Sequence, residues 1–233
     1  MMHGSTPRVR WAAFSLALSG IFFVLFPVAR PFFDETSMQG AAEFASIMWP
    51  LAHSFGIFGF ILMALGFLGL STRFAGTALE GRSFKAAVLY WAGAGLTLPF
   101  FGAEAFSLQV IGQAAVDQGN ASLLPLVNKV RFGPGIIFIG TGLILIAIAT
   151  IVMASAVWRS GSLPKWSGVP LAVGFAVYIP LLQGDPAFQP IRIVDGILIL
   201  AGALWMAWAM TRVRRPEKRA PKQPAVSQAE GLR

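Results

Sequence analysis

The chain has 233 residues, of which 56% are hydrophobic and 12% are charged, and its mean hydropathy is +0.69. Soluble domains carry about 25% charged residues, so this composition excludes an ordinary soluble domain and indicates an integral membrane protein. The formal net charge of +8 does not indicate a nucleic-acid partner, because the basic residues flank apolar segments or lie in the C-terminal tail.

Six apolar segments have, or nearly have, the length of about 20 residues that a helix needs to cross the hydrocarbon layer. In chain order they are residues 11–29, 47–70, 86–110, 132–158, 166–183 and 191–211. The fifth is the least regular, because Pro170 and Pro180 lie inside it. We therefore predict an all-α fold, a polytopic membrane bundle of six transmembrane helices over residues 1–211.

The first segment has one feature of a cleavable signal peptide, since Arg8 and Arg10 precede an apolar run. That run has about 19 residues, whereas the apolar region of a signal peptide usually has about 7–15. We expect the segment to be retained as the first transmembrane helix.

The connection between the first two segments contains several phenylalanines among acidic and small residues, including Phe32, Phe33 and Phe44. This pattern predicts a short helix that lies in the membrane interface. The connection before the fourth segment predicts a turn at residues 118–120 and then a short apolar helix interrupted at Pro125.

Glycines recur in three consecutive segments, where small residues let transmembrane helices approach closely. We interpret them as packing positions. They are Gly56, Gly59, Gly66, Gly69, Gly93, Gly95, Gly102, Gly133, Gly135, Gly140 and Gly142.

The basic residues predict the orientation, because Lys and Arg accumulate on the cytoplasmic side of a membrane. With six spans, one side receives all of the 18 Lys and Arg residues except Arg30, Lys129, Arg131 and Arg192. We therefore expect both termini to be cytoplasmic in a multi-pass protein of a bacterial inner membrane.

Residues 212–233 form a basic tail rich in Pro and Gln, a composition typical of disordered segments. Its first basic residues follow directly after the last apolar segment. We expect them to lie against anionic lipid headgroups, which attract basic residues close to the membrane surface.

Four ionisable residues come to the same depth when each is counted along its helix from the inner basic residues. Arg30, His53, Glu104 and Asp195 all lie about 25–30 Å from that side. This distance places them near the outer boundary of the hydrocarbon layer, where Arg131 also begins the fourth segment. A charge at the centre of the bilayer would be costly, so this depth is favourable.

Two interpretations of these residues remain open. Each can terminate its own helix at the interface, or they can converge on a polar cavity at the outer end of the bundle. The apolar sequence around His53 and Glu104 favours a cavity, because an ionisable group in such surroundings needs a partner. We take His53, Glu104, Arg131 and Asp195 as the candidate ligand-binding residues, with Glu104 paired to His53 or Arg131.

The sequence contains few groups for catalysis or for a cofactor. It has no cysteine and only two histidines, His3 and His53, which the predicted topology places on opposite sides. We therefore expect no metal or haem site and consider an enzyme less favoured. The inner half of the segments has no charged residue, which disfavours a continuous ion pathway.

Three functions remain compatible with the sequence. The first is recognition of a small ligand, a lipid or a partner membrane helix by the outer pocket. The second is a transporter or permease that uses the same pocket as its outward gate. The third is an accessory subunit that packs into a membrane complex through its glycine faces.

The segments around His53, Glu104 and the turn at Leu163, Pro164 and Trp166 resemble a group of small bacterial integral membrane proteins without assigned activity. Members are multi-span bundles with a histidine in one helix, a glutamate near the outer end of the next, and a Leu-Pro-x-Trp turn. The resemblance covers the second to fifth segments and implies a membrane bundle, but no substrate.

Overall fold

The computed structural model describes residues 7–182 and 186–212, and within these ranges the chain is helical and contains no strand. Nine α-helices are connected by turns and short 3₁₀ segments. They are α1 (Pro7–Ala29), α2 (Met38–Ala45), α3 (Met48–Arg73), α4 (Glu80–Gly102), α5 (Leu108–Asp117), α6 (Pro125–Arg131), α7 (Gly135–Ser160), α8 (Val169–Tyr178) and α9 (Gln189–Arg212). The basic tail from residue 213 onward lies outside the described residues.

Five helical stretches of the described chain are long and apolar enough to cross a membrane. They are Pro7–Ala29, Met48–Arg73, Glu80–Asp117, Gly135–Ser160 and Pro186–Arg212. These stretches confirm a membrane-type helical bundle and match five of the six predicted segments. The third is longer than predicted, because α4 continues through one π-helical turn, Ala103–Ser107, into α5.

The predicted fifth segment does not form one long helix. Its only α-helix is α8, which has 10 residues, with 3₁₀ turns at Lys165–Gly168 before it and Pro180–Leu182 after it. Pro180 has no backbone N–H to continue the hydrogen-bond ladder of α8, so regular helix ends before it. Helix length therefore establishes five candidate spans and not the six predicted.

Close contacts at glycines define how the long helices run. Gly20 of α1 lies against Leu200 of α9, and Gly196 of α9 lies against Phe23 of α1, so these two helices are antiparallel. Helix α3 is also antiparallel to α1, since Gly59 meets Phe23 and Gly69 meets Ala12. As a result, Pro7 and Arg212 lie at the same end of the bundle.

Helices α4 and α7 cross at a pair of glycines. An added Cβ at Gly142 would lie 2.5 Å from Thr97 Oγ1 and 2.7 Å from the Gly93 carbonyl oxygen. This is the packing predicted for glycines in lipid, where a missing side chain lets two backbones approach. The prediction is wrong for Gly95, Gly102 and Gly140, because an added Cβ would meet nothing within 4 Å there.

Helices α2, α5 and α6 form a small layer at the end of the bundle opposite to Pro7 and Arg212, which we call the cap. Its core contains Phe44, Trp49, Leu108 and Val127, all buried. Gly112 of α5 allows a close crossing, since an added Cβ would lie 2.5 Å from the Phe44 Cβ. The predicted short helix is present as α2, and its Phe44 packs into the cap. Its location in the membrane interface stays a prediction.

The predicted turn and short helix before the fourth span are present in the cap. Gly119 has a φ of 57°, a left-handed conformation that glycine adopts without strain. Pro125 begins α6 rather than interrupting it, because the first position of a helix does not need a backbone N–H. Helix α6 thereby brings Arg131 back over the end of α4.

Candidate functional site

Glu104 lies in the π-helical turn between α4 and α5. Such single turns arise from a local change in backbone hydrogen bonding and occur frequently at functional sites. The indole N–H of Trp49 on α3 donates to the Glu104 carbonyl oxygen at 2.7 Å, which holds the turn against α3. The Glu104 side chain is buried, with 8% of its surface exposed.

Arg131 joins two carboxylates that come from distant parts of the chain. Its Nε and Nη2 donate to the two oxygens of Glu104 at 2.5 and 3.0 Å, and Nη1 and Nη2 donate to Glu35. Burial alone would lower the pKa of Arg131, but the charges of Glu104 and Glu35 raise this pKa above its ordinary value. Arg131 therefore remains a cation whose donors are committed to the protein.

His53 lies between Trp49 and Glu104 and is buried. Its Nδ1 is 2.8 Å from the Trp49 carbonyl oxygen, which can only accept, so Nδ1 carries a proton. The other ring nitrogen, Nε2, is 3.7 Å from Glu104 Oε2, too long for a hydrogen bond. In the neutral ring this nitrogen is an acceptor, available to a donor in the site.

A second arginine, Arg30, follows directly after α1 and is also buried. Its Nη2 is 3.5 Å from Glu35, and its guanidinium lies over the rings of Phe32 and Trp49 at 4.4 and 4.7 Å. Burial lowers the pKa of Arg30 to about 10. The group therefore stays charged at neutral pH, at a cost in hydration.

Arg192 of α9 approaches the same aromatic ring. Its guanidinium carbon is 4.5 Å from the centre of Phe32, and its Nε donates to the Leu181 carbonyl oxygen at 2.8 Å. Two cations therefore lie against one phenylalanine at the cap end of the bundle. The charge of Arg192 is among the causes that lower the pKa of Arg30, after burial.

Asp195 lies one turn further along α9 and is 5% exposed. Its Oδ1 would be 3.5 Å from an added Cβ at Gly174 of α8, and it has no hydrogen-bond partner among the described residues. The hydroxyl of Tyr178 is also buried without a partner in that part of the chain. A carboxylate and a hydroxyl are therefore held on neighbouring helices α8 and α9.

All of these groups except Glu35 line one cavity of about 610 Å³. Its charged residues are Arg30, Glu104, Arg131, Arg192 and Asp195, and His53 lies beside them. The remaining wall is largely apolar and includes Phe23, Phe26, Phe100, Phe101, Ile139 and Leu143. One space therefore combines a polar, mainly cationic end with a long apolar wall.

The cavity is open on one side and closed on another. Phe132 and Ile136 line it and are 71% and 43% exposed, so it reaches the outer surface of the bundle beside the start of α7. Toward the middle of the bundle, Phe23 packs edge-on against the buried rings of Phe60 and Phe175 at 5.0 and 5.2 Å. These rings lie between the cavity and the end of the bundle that contains Pro7 and Arg212.

The structure brings His53, Glu104, Arg131 and Asp195 to the walls of one cavity. Of the two alternative partners predicted for Glu104, Arg131 forms a bidentate ion pair with it, whereas His53 lies 3.7 Å away without a hydrogen bond. Arg30 was predicted at the same level as His53, Glu104 and Asp195 but not as part of the site, and Glu35 and Arg192 were not predicted as site residues. The signal that could have identified Arg30, Glu35 and Arg192 was their predicted position on the same outer side as the candidate residues.

Comparison of the chain with protein-family models, curated proteins and solved structures gives no match. The resemblance to small bacterial membrane proteins therefore stays a prediction. In the described part of the chain, no group of three or more His, Cys, Asp or Glu side chains could hold a metal ion.

Proposed function

We propose that this chain is an inner-membrane protein that binds a small amphiphilic ligand in the cavity at the cap end. The observation that carries the proposal is the cavity itself, in which buried or largely buried charged residues from four separate segments adjoin a long apolar wall. Small-molecule sites have this character, with volumes of about 300–1,000 Å³, mostly apolar walls and a few polar groups that fix orientation.

The opening beside Phe132 and Ile136 supports entry from the membrane. Both side chains are apolar and exposed, as expected for residues that contact lipid. A ligand with an alkyl chain can pass between them without exposing that chain to water. The volume favours a small molecule over a partner helix, which is about 10–12 Å across.

The closed side of the cavity favours binding over transport through the bundle. Phe60, Phe175 and Tyr90 form a buried aromatic group, with Phe175 5.7 Å from Tyr90. A ligand would have to displace these rings to continue toward the other end. We therefore place recognition ahead of a transporter or accessory role.

The proposal includes six membrane passes, with both termini in the cytoplasm. Helices α7 and α9 both begin beside the cavity, because Ile136 and Arg192 line it from their first turns. The chain must therefore return along the bundle between residues 160 and 189. Helix α8 with its flanking 3₁₀ turns provides this path, since Leu171 meets Gly202 and Gly174 meets Ile199.

Cysteine labelling tests this topology, because the chain has no native cysteine. We expect Lys165→Cys and Arg212→Cys, both at exposed positions, to react with a membrane-impermeant maleimide only after the cells are opened. Asp117→Cys, at the end of α5 in the cap, should react in intact cells. Opposite accessibility of positions 165 and 212 would contradict six passes.

Filling the cavity tests the binding proposal. Gly140 lines the cavity, and an added Cβ would meet nothing within 4 Å, so Gly140→Phe should fold and occupy the space. The probes are hexadecanol and hexadecanoate that carry a photoactivatable diazirine in the chain, added to phosphatidylcholine vesicles that contain the protein. We expect Gly140→Phe to reduce labelling of Phe26 and Phe101, which both line the cavity, by about tenfold.

Gly95→Phe is the matched control. Gly95 is also a helical glycine without a neighbour within 4 Å, but it does not line the cavity. We expect its labelling at Phe26 and Phe101 to equal that of the unchanged protein. If neither probe labels these residues in the unchanged protein, or if both variants label equally, the cavity does not bind amphiphiles.

A further inference from the structure

Arg131 and Arg30 both line the cavity, but they use their N–H donors to different extents. Arg131 makes four hydrogen bonds to Glu104 and Glu35. Arg30 has one contact with Glu35, at 3.5 Å. Because Glu35 and Glu104 both accept hydrogen bonds from Arg131, most N–H donors of Arg30 do not bind a carboxylate.

The other contacts of Arg30 do not use its donors. Phe32 and Trp49 lie against the guanidinium at 4.4 and 4.7 Å, and an aromatic face attracts the charge without accepting a directed hydrogen bond from each N–H group. A guanidinium presents five N–H donors around its edge. Arg30 lines the cavity, so a ligand there can approach its side chain.

We propose that Arg30 is the head-group site for an anionic, single-chain amphiphile whose alkyl chain lies along the apolar wall of the cavity. This inference rests on the proposed function. A carboxylate or a phosphate monoester would accept the donors that Glu35 leaves unused, in the bidentate geometry that guanidinium favours. Arg192, across the ring of Phe32, adds a second positive charge to the same end.

The positions of the acidic groups are consistent with an anion here. Glu35 and Glu104 have Arg131 as their common counterion. Asp195 turns its Oδ1 toward Gly174 on α8, and no described residue donates to that oxygen. His53 and Glu104 both line the cavity, with Nε2 of His53 3.7 Å from Glu104 Oε2.

Competition among ligands of equal chain length tests the inference. The measurement is the concentration of unlabelled competitor that halves photolabelling of Phe26 and Phe101 in phosphatidylcholine vesicles. The competitors are hexadecanoate, hexadecyl phosphate, hexadecanol and hexadecyltrimethylammonium. We expect hexadecanoate, hexadecyl phosphate or both to compete at a concentration about tenfold to a hundredfold lower than that of hexadecanol. This ratio corresponds to the free energy of a charge-assisted hydrogen bond.

The two anions distinguish the chemical source of the head group. Stronger competition by hexadecanoate assigns the site to fatty-acid carboxylates, and stronger competition by hexadecyl phosphate assigns it to lipid phosphates. Equal competition by the alcohol and both anions, with labelling still present, would overturn the anion site and leave amphiphile binding intact. Absence of labelling with every probe would instead remove the proposed function.

Variants of Arg30 give an independent measurement. We expect Arg30→Gln to abolish the preference for anions over the alcohol, and Arg30→Lys to retain part of it. Arg159→Gln removes the same charge from an exposed position near the end of α7 and should leave the preference unchanged. A preference that survives in Arg30→Gln would contradict the assignment, and the ligand series decides the question even if that variant does not fold.

Discussion

Replacement of Arg131 by Met is expected to lower the free energy of unfolding by about 3–5 kcal/mol, the usual cost of removing one partner from a buried ion pair. Arg131 joins Glu104 of the π-helical turn to Glu35 of the connection after α1. Without Arg131, two largely buried carboxylates would lose their common counterion. Among the described residues, the arginine contact that remains would be that of Arg30 with Glu35, at 3.5 Å. Equilibrium unfolding in mixed detergent micelles measures the difference.

Lys129→Met is the control for this substitution. Lys129 lies on the same helix, α6, two residues earlier, and its side chain is exposed. The control loses the same charge and gains the same side chain, and we expect stability close to that of the unchanged protein. Equal losses in the two variants would show that Arg131 does not hold the cap to the bundle.

A double-mutant cycle with Glu104→Gln separates the ion pair from general effects of each substitution. Residues in direct contact give interaction energies of about 0.5–3 kcal/mol, whereas distant residues add. We expect the double variant to lose less stability than the sum of the two single variants. Additive losses would mean that the two side chains do not interact in the membrane protein as they do in this structure.

Gly142→Ala is expected to lower the free energy of unfolding by about 1–3 kcal/mol, because the added methyl group overpacks the crossing of α4 and α7. Its Cβ would lie 2.7 Å from the Gly93 carbonyl oxygen and 3.0 Å from the Thr97 backbone nitrogen. Backbone atoms cannot rotate away as a flexible side chain can, so the two helices must separate. The same unfolding measurement applies.

Gly140 lies two residues before Gly142 on α7, and we expect it to tolerate the same substitution. Gly140→Ala introduces a methyl group that meets nothing within 4 Å. Alanine is more favourable than glycine inside a helix by about 0.5–1 kcal/mol, so this variant should be as stable as the unchanged protein or slightly more stable. A loss at position 140 equal to that at 142 would contradict the packing described for this crossing.

The long helices could be predicted from the sequence, because an uninterrupted apolar run in a bilayer must satisfy its backbone hydrogen bonds within a helix. The same reasoning was insufficient for α8, where Pro170 and Pro180 shorten the regular helix. It also did not predict the extension of the third span into the cap. That extension depends on a π-helical turn held by Trp49, a contact between residues 55 positions apart.

The shared level of the site residues along the bundle could likewise be predicted, since a helix has a fixed rise per residue. Level alone does not determine the direction of a side chain. Arg30 was predicted at this level, but only the fold places its guanidinium over Phe32 and Trp49 and beside Glu35. Glu35 itself comes from a loop, whose position no periodicity determines.

The sequence by itself determined a helical membrane-type bundle and the level at which His53, Glu104 and Asp195 lie, because both follow from local composition and from length along a helix. Only the tertiary structure decided which of these groups meet, that Arg131 returns over α4 to bind Glu104, and that a cavity remains between them. These features depend on helix rotation and on contacts between distant residues, which a single sequence does not encode in any local pattern.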